Sequence, residues 1–230
     1  ETEGLLVDVD NDGDLDMYMA AGGRFYSKIS NALQDRLFIN NGKGDFKEAT
    51  NALPFYEFFS TSMVAAIDFD KDGDSDLLVC ERFDPYYYGL GGRGFLLENN
   101  GKGIFADVTE KFAPELKKLG MITDAEISDF DNDGDPDLVG TSISTESIYF
   151  QENIGNGEFS QPTEIINTSL NPSFISSGDI DNDGFNDLVV SSYTTHTVSI
   201  FHVASDGAWS LDRQIVLPAP VDFNEGYMSP

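Results

Sequence analysis

One pattern recurs four times in this chain and narrows what it can fold into more than any bulk property does. The segments Asp8-Val-Asp-Asn-Asp-Gly-Asp-Leu-Asp16, Asp68-Phe-Asp-Lys-Asp-Gly-Asp-Ser-Asp76, Asp129-Phe-Asp-Asn-Asp-Gly-Asp-Pro-Asp137 and Asp179-Ile-Asp-Asn-Asp-Gly-Phe-Asn-Asp187 align without gaps as D-x-D-x-D-G-x-x-D. Successive copies begin 60, 61 and 50 residues apart, a spacing that belongs to repeat architectures. Short apolar stretches flank the copies, such as residues 63–67 before and 77–80 after the second, and their length suits strands rather than helices.

A second element follows each acidic loop. It reads Leu37-Phe-Ile-Asn-Asn-Gly-Lys-Gly-Asp-Phe46, then Phe95-Leu-Leu-Glu-Asn-Asn-Gly-Lys-Gly-Ile-Phe105, and returns more loosely at residues 148–159 and 198–209. Asn-Gly and Asp-Gly between apolar runs are hairpin signals, because these residues accept positive φ. Each unit therefore reads as strand A, acidic loop, strand B, a connection, strand C, Gly-rich hairpin and strand D. A four-stranded antiparallel sheet repeated at this spacing is a β-propeller blade, so the expected fold is an all-β propeller with four blades present. The expected repeats cover approximately residues 1–50, 60–109, 121–160 and 173–216 of a single propeller region, 1–230. Residues 217–230 read as the start of a further blade or a tail. Four blades can close a ring, but a piece of a larger propeller is the favoured expectation.

Two unit charges 4 Å apart repel by about 1 kcal/mol in water and by about 4 kcal/mol at an effective dielectric of 20. Four carboxylates crowded into a tight loop therefore call for a cation. Hard oxygens at alternate positions suit Ca2+, which takes roughly 6–8 oxygen ligands, better than Mg2+, which demands a strict octahedron. About four calcium sites are expected, one per repeat. Side-chain ligands fall at positions 1, 3, 5 and 9: Asp8, Asp10, Asp12 and Asp16; Asp68, Asp70, Asp72 and Asp76; Asp129, Asp131, Asp133 and Asp137; Asp179, Asp181, Asp183 and Asp187. Position 7 is assigned through its backbone carbonyl. Asp14, Asp74 and Asp135 stand there in three copies, but Phe185, with no side-chain oxygen, stands there in the fourth. An EF-hand is excluded, because its bidentate Glu at position 12 is replaced by Met19, Val79, Gly140 and Val190.

The acidic nonapeptide between two strands, followed by Asn-Asn-Gly-Lys-Gly, resembles the FG-GAP/VCBS repeats of integrin-α-type calcium-binding β-propellers. The bacterial VCBS version is the nearer likeness, on Gly-Ile-Phe-Ala-Asp-Val-Thr at 103–109. The literal Phe-Gly and Gly-Ala-Pro signatures of integrins are absent, so integrin-like ligand binding does not carry over. The resemblance implies a seven-bladed propeller in which calcium rigidifies a loop at the edge of each blade.

Charge constrains the partner. The chain carries 41 acidic against 13 basic side chains, a formal net charge of −28. Too few cations remain to build a nucleic-acid face, and an anionic membrane surface would repel the chain. Disorder is excluded by 40% hydrophobic residues, 18 Phe among them. No apolar run reaches the ~18 residues a membrane span needs. The single cysteine, Cys80, reads as a buried small hydrophobe. The N-terminus shows no signal sequence, so either a signal was removed or the chain is part of a longer one. Asn167-Thr-Ser169 matches a glycosylation acceptor.

Meander connectivity puts the acidic loops and the C–D hairpins on one face and the B–C connections on the other. The first two B–C connections are long, and long loops on a rigid scaffold often carry binding. Arg24, Phe25, Tyr26, Tyr86, Tyr87, Tyr88 and Arg93 lie in them and are the candidate ligand-binding residues. The D–A segment 108–119 is expected to hold a helical turn, with Phe112, Leu116 and Leu119 on one face. His196 and His202 are expected on one strand face, as ordinary strand histidines. No G-x-S-x-G, H-E-x-x-H or P-loop is present. The leading expectation is a calcium-stabilised, non-catalytic binding, adhesion or assembly propeller, secreted or at the cell surface, recognising extracellular protein or glycan. The alternatives are an enzyme of the polysaccharide lyase or dehydratase type on the same scaffold, or a structural subunit of an extracellular filament.

Overall fold

A computed structural model describes residues 3–22, 33–54, 60–83, 91–167, 171–204 and 207–218. Among these described residues, sixteen strands form four four-stranded antiparallel meanders. The first sheet comprises β1 (Glu3–Val7), β2 (Asp16–Ala20), β3 (Arg36–Asn40) and β4 (Phe46–Glu48). The second comprises β5 (Ser60–Ile67), β6 (Asp76–Phe83), β7 (Gly94–Asn99) and β8 (Phe105–Asp107). The third comprises β9 (Ile122–Ser128), β10 (Asp137–Ser142), β11 (Ser147–Gln151) and β12 (Thr163–Asn167), and the fourth β13 (Phe174–Gly178), β14 (Asp187–Ser192), β15 (Thr197–Val203) and β16 (Trp209–Val216). These are four blades of a β-propeller-like fold, in the strand order expected from the sequence.

Alternation along the strands builds the core. Leu77 and Val79 of β6 face the first blade, while Leu78 and Cys80 face the third. On β10, Leu138 packs toward the second blade and Val139 toward the fourth. Period-2 side-chain direction thus splits each inner sheet between two cores. Three buried clusters fill the three gaps between successive blades, and Cys80 sits in the second of them as the small hydrophobe expected. Among the described residues no such cluster joins the fourth sheet to the first. Leu6 on the first and Phe174 on the fourth are 58% and 67% exposed.

The sheets converge at their first strands, where β1 lies against β5, β5 against β9 and β9 against β13. Carboxylates stitch this inner edge. Glu3 Oε2 accepts the Val64 N–H at 2.9 Å, and Asp124 Oδ2 accepts the Ile175 N–H at 3.0 Å. The expected helical turn is present as α1 (Thr109–Phe112) followed by a 3-10 turn at Pro114–Lys118. Leu116 is buried there, and Phe112 meets the Phe69 ring edge-on with centroids 5.2 Å apart, so this connection seals the second core.

Three expectations fall outside the described residues. Arg24, Phe25 and Tyr26 lie in 23–32, Tyr86, Tyr87 and Tyr88 in 84–90, and all but residues 217–218 of the expected further blade or tail 217–230 lie in 219–230. The Thr168 and Ser169 of the glycosylation triplet lie outside as well. One expectation is corrected. His196 is not on the strand with His202 but in the turn before β15, at φ +54°, with its ring edge against Tyr193. The two-residue period therefore does not run through it.

Candidate metal centre

The four acidic loops share one hydrogen-bonding scheme, and it follows from the spacing of the aspartates. Position 1 accepts the N–H of the position-6 glycine: Asp8, Asp68, Asp129 and Asp179 receive Gly13, Gly73, Gly134 and Gly184 at 3.0, 3.2, 3.0 and 3.1 Å. Position 5 accepts the N–H of position 7, as Asp12 does from Asp14 at 2.9 Å and Asp183 from Phe185 at 2.9 Å. Position 9 reaches back to the N–H of position 2, as Asp16 does to Val9 at 3.0 Å and Asp137 to Phe130 at 3.0 Å. Tight winding requires positive φ twice. The glycine at position 6 takes φ +90° to +93°, and position 4 (Asn11, Lys71, Asn132, Asn182) takes φ +60° to +62°. Asn tolerates that region and Lys does so poorly.

Position 9 is the buried anchor. Asp16, Asp76, Asp137 and Asp187 are at most 1% exposed. In the first three blades its second oxygen accepts the backbone N–H of a hairpin asparagine, from Asn40 at 2.8 Å, Asn99 at 2.7 Å and Asn153 at 2.9 Å. The acidic loop and the C–D hairpin are thereby clamped together on one face. At Gly42 and Gly101, both at φ +72°, a Cβ would also meet the carboxylates of Asp14 and Asp74, so glycine suits the close approach of hairpin and loop.

The arrangement converges carboxylate oxygens without supplying enough donors. In each of the first three loops, oxygens of positions 1, 3 and 9 lie within 4.8 Å of one another: Asp8, Asp10 and Asp16; Asp68, Asp70 and Asp76; Asp129, Asp131 and Asp137. Asp8 Oδ1, Asp10 Oδ1, Asp68 Oδ1 and Asp129 Oδ1 are buried with no hydrogen-bond partner. Burial pushes Asp76 and Asp137 up to about 7, against the pull of two backbone N–H donors on each. Asp10, Asp70 and Asp131 are also raised, first by burial and then by neighbouring carboxylates. Orphaned, crowded hard oxygens of this kind are what a divalent cation satisfies. These clusters could hold a metal, and the donor set fits Ca2+.

The position-5 aspartates Asp12, Asp72 and Asp133 stand outside these triads, whereas in the fourth loop Asp179, Asp181 and Asp183 group together. Position 7 is occupied elsewhere. Asn11 of the first loop donates to Asp74 of the second at 2.7 Å, and Lys71 of the second pairs with Asp135 of the third at 2.6 Å. Asn132 of the third donates to the Gly184 carbonyl of the fourth at 3.0 Å, where Phe185 offers no carboxylate. Position 4 of each of the first three loops thus grips the next loop near position 7. This relay was not visible in the sequence, because nothing in a spacing says which blade a polar side chain will reach.

His202, expected from the sequence to be an ordinary strand histidine, lies at the fourth acidic cluster. Its Nδ1 lies 2.9 Å from Asp187 Oδ1 and 3.5 Å from Asp181 Oδ2, joining the fourth site. An even position on strand C beside an acidic loop was the signal available for it. Arg93, a candidate ligand residue, pairs with buried Glu81 at 3.5 Å and lies over the Phe95 ring at 5.4 Å, on the face away from the loops.

Comparison with known proteins agrees with the repeat. Residues 8–79 and 129–190, more than half of the chain, match the FG-GAP-like repeat family model. No curated protein matches the chain significantly. Among solved structures, the Tc holotoxin pore of Photorhabdus luminescens is similar at 19% identity and a TM-score of 0.45, over 95% of this chain and 10% of the toxin chain. An Agrocybe aegerita lectin that recognises non-reducing terminal N-acetylglucosamine is similar at 17% identity and a TM-score of 0.39, over 98% of this chain and 69% of the lectin. At these scores neither likeness bears on fold or function. The chain spans a tenth of the toxin chain.

Proposed function

Because the chain belongs to the FG-GAP-like repeat family, we propose that it is a calcium-stabilised binding or assembly propeller that works outside the cell. The carrying observation is the threefold recurrence of one carboxylate triad at positions 1, 3 and 9 with an orphaned, buried oxygen at position 1. Three copies of a single chemistry suit scaffold ions, since a catalytic metal is usually unique in its fold and keeps an open coordination position. In this reading Ca2+ is held by side chains at positions 1, 3, 5 and 9 and by the carbonyl at position 7, with the side chains of Asp74 and Asp135 turned to the neighbouring blade. Millimolar calcium fills weak sites of this kind outside the cell, which supports an extracellular location. The likeness of residues 103–109 favours the bacterial VCBS form.

The partner is a protein or a glycan, met by the face opposite the loops through Arg24, Phe25, Tyr26, Tyr86, Tyr87, Tyr88 and Arg93. The net charge of −28 supports this by disfavouring nucleic acid. The open apolar faces at Leu6 and Phe174 support continuation of the arc into further blades. An open arc scatters X-rays with a radius of gyration above the roughly 17 Å of a compact chain of this length. A smaller value sinks the open-arc reading.

The test separates scaffold from binding face. Asp70→Ala is expected to lower the melting temperature in calcium and to abolish its response to chelator at that site, with glycan-array or partner binding lost only through unfolding. Tyr87→Ala is expected to leave the melting curve in place and weaken binding. Equal stability losses in the two variants would make the tyrosine part of the core and remove the proposed face.

A further inference from the structure

The fourth acidic loop keeps the shared backbone scheme but departs from the other three at two points that matter to an ion. In the first three loops the position-1 aspartate keeps a buried oxygen without a partner. In the fourth, both oxygens of Asp179 accept loop N–H groups, from Asp183 and Gly184 at 3.1 Å each, and the side chain is exposed. In the first three, the buried position-9 carboxylate has its Oδ1 capped by an asparagine N–H. In the fourth, Val203 holds the register of those asparagines, and Asp187 Oδ1 has no hydrogen-bond partner although Asp187 is fully buried.

His202 fills the vacated place. It stands at the strand register occupied by Ile39, Glu98 and Glu152 in the other blades. Its buried Nδ1 lies 2.9 Å from Asp187 Oδ1, an ion pair off the directed hydrogen-bond geometry, and neither atom has another hydrogen-bond partner. Ligand atoms of Asp181, Asp187 and His202 all lie within 4.8 Å of one another. On the far side of the ring, Asp212 Oδ2 lies 3.7 Å from Nε2. Without an ion, the Asp187 and Asp181 carboxylates favour a proton on Nδ1; a bound cation would displace that proton and leave Nδ1 as a lone-pair donor, with Nε2–H kept on the side of Asp212.

We propose that the fourth site is a mixed nitrogen–oxygen site for a borderline divalent ion of the zinc class, held by His202 Nδ1, Asp181 and Asp187 and supported by Asp212. Imidazole is a good ligand for Zn2+ and a poor one for Ca2+, which takes oxygen. Two ligands each about 2.0–2.1 Å from one tetrahedral zinc ion stand about 3.3 Å apart, so the two side chains would open by a few tenths of an ångström on binding. The assignment stands apart from the calcium reading of the first three loops, because its donors and its missing backbone cap belong to the fourth blade alone.

The chain has two histidines, so imidazole NMR reads the site directly. The experiment adds ZnCl2 to the chelator-stripped full chain in the presence of excess CaCl2. The expected result is one equivalent of zinc bound, with the His202 Nδ1 resonance shifted and His196 unmoved. His202→Gln is expected to lose at least about ten-fold in zinc affinity while its calcium titration is unchanged, and Asp212→Asn to lose about ten-fold. Zinc that leaves both imidazoles unshifted in the unsubstituted chain overturns the proposal and makes His202 a charge partner of the carboxylates only. Zinc displaced by calcium overturns it as well. The NMR arm needs no variant, so a poorly folding substitution leaves the outcome readable.

Discussion

Asp35 shows how far one buried carboxylate can shape the molecule's response to pH. It accepts hydrogen bonds from Tyr18 Oη at 2.7 Å, the Ala21 N–H at 2.6 Å and Thr61 Oγ1 at 2.7 Å, tying the first blade to the second. Burial outweighs these donors and raises it to about 6. Its pKa in the folded chain lies above that of the unfolded chain, so folding takes up a proton. The stability it contributes is full below about pH 4 and is lost as pH rises through about 6. The gap of about two pH units corresponds to something on the order of 3 kcal/mol. The difference in unfolding free energy between the unsubstituted chain and Asp35→Asn is therefore expected to fall by up to that amount between pH 4 and 7, measured in urea. Parallel pH curves would show that another group carries the titration. No motif contains Asp35, and its burial depends on Tyr18 and Thr61 arriving from two sheets, so its role was not legible in the sequence.

At the scale of the element, the Gly-rich hairpin does more than reverse the chain. Asn99 Nδ2 donates to the Val9 carbonyl of the preceding blade at 2.8 Å, and Asn153 Nδ2 donates to the Phe69 carbonyl at 2.9 Å. The second and third hairpins therefore close onto their own acidic loops by a backbone N–H and onto the previous loop by a side chain. Asn153→Ala leaves the Phe69 carbonyl inside the second core without that donor. Its expected cost is about 1–3 kcal/mol, the range for a buried polar group left unpaired, with an unchanged denaturant slope. A loss below about 0.5 kcal/mol would show that water replaces the amide. The hairpin was readable from Asn-Gly because turn chemistry is local. Its grip on the neighbouring blade was not, because that depends on how two sheets stack.

For the whole molecule, the decisive term is charge. The four nonapeptides hold 19 of the 41 acidic residues, and four bound divalent ions would bring the formal charge from −28 to −20. Each site at about 100 times its dissociation constant adds roughly 2.7 kcal/mol to the folded state. Chelator is expected to lower the melting temperature by many degrees and calcium to restore it, read by scanning calorimetry. A melting curve indifferent to chelator would remove the ions from the scaffold. Self-repulsion makes a second prediction. Raising NaCl is expected to stabilise the metal-free chain more than the calcium-loaded one, because salt screens the carboxylates that no ion neutralises. An equal response in both states would place the destabilising charge outside the loops.

The sequence by itself determined the repeat, the strand order, the shared face of loops and hairpins, and the identity of the acidic clusters. All of these rest on local periodicity and on spacing within one loop. Only the tertiary structure decided which oxygens converge, that position 9 is the buried clamp, that position 4 reaches the next blade near position 7, and that His202 takes over the fourth site. Those outcomes depend on the stacking of one sheet against another and on strand register, which bring together residues such as Asn132 and Gly184 that no local pattern relates.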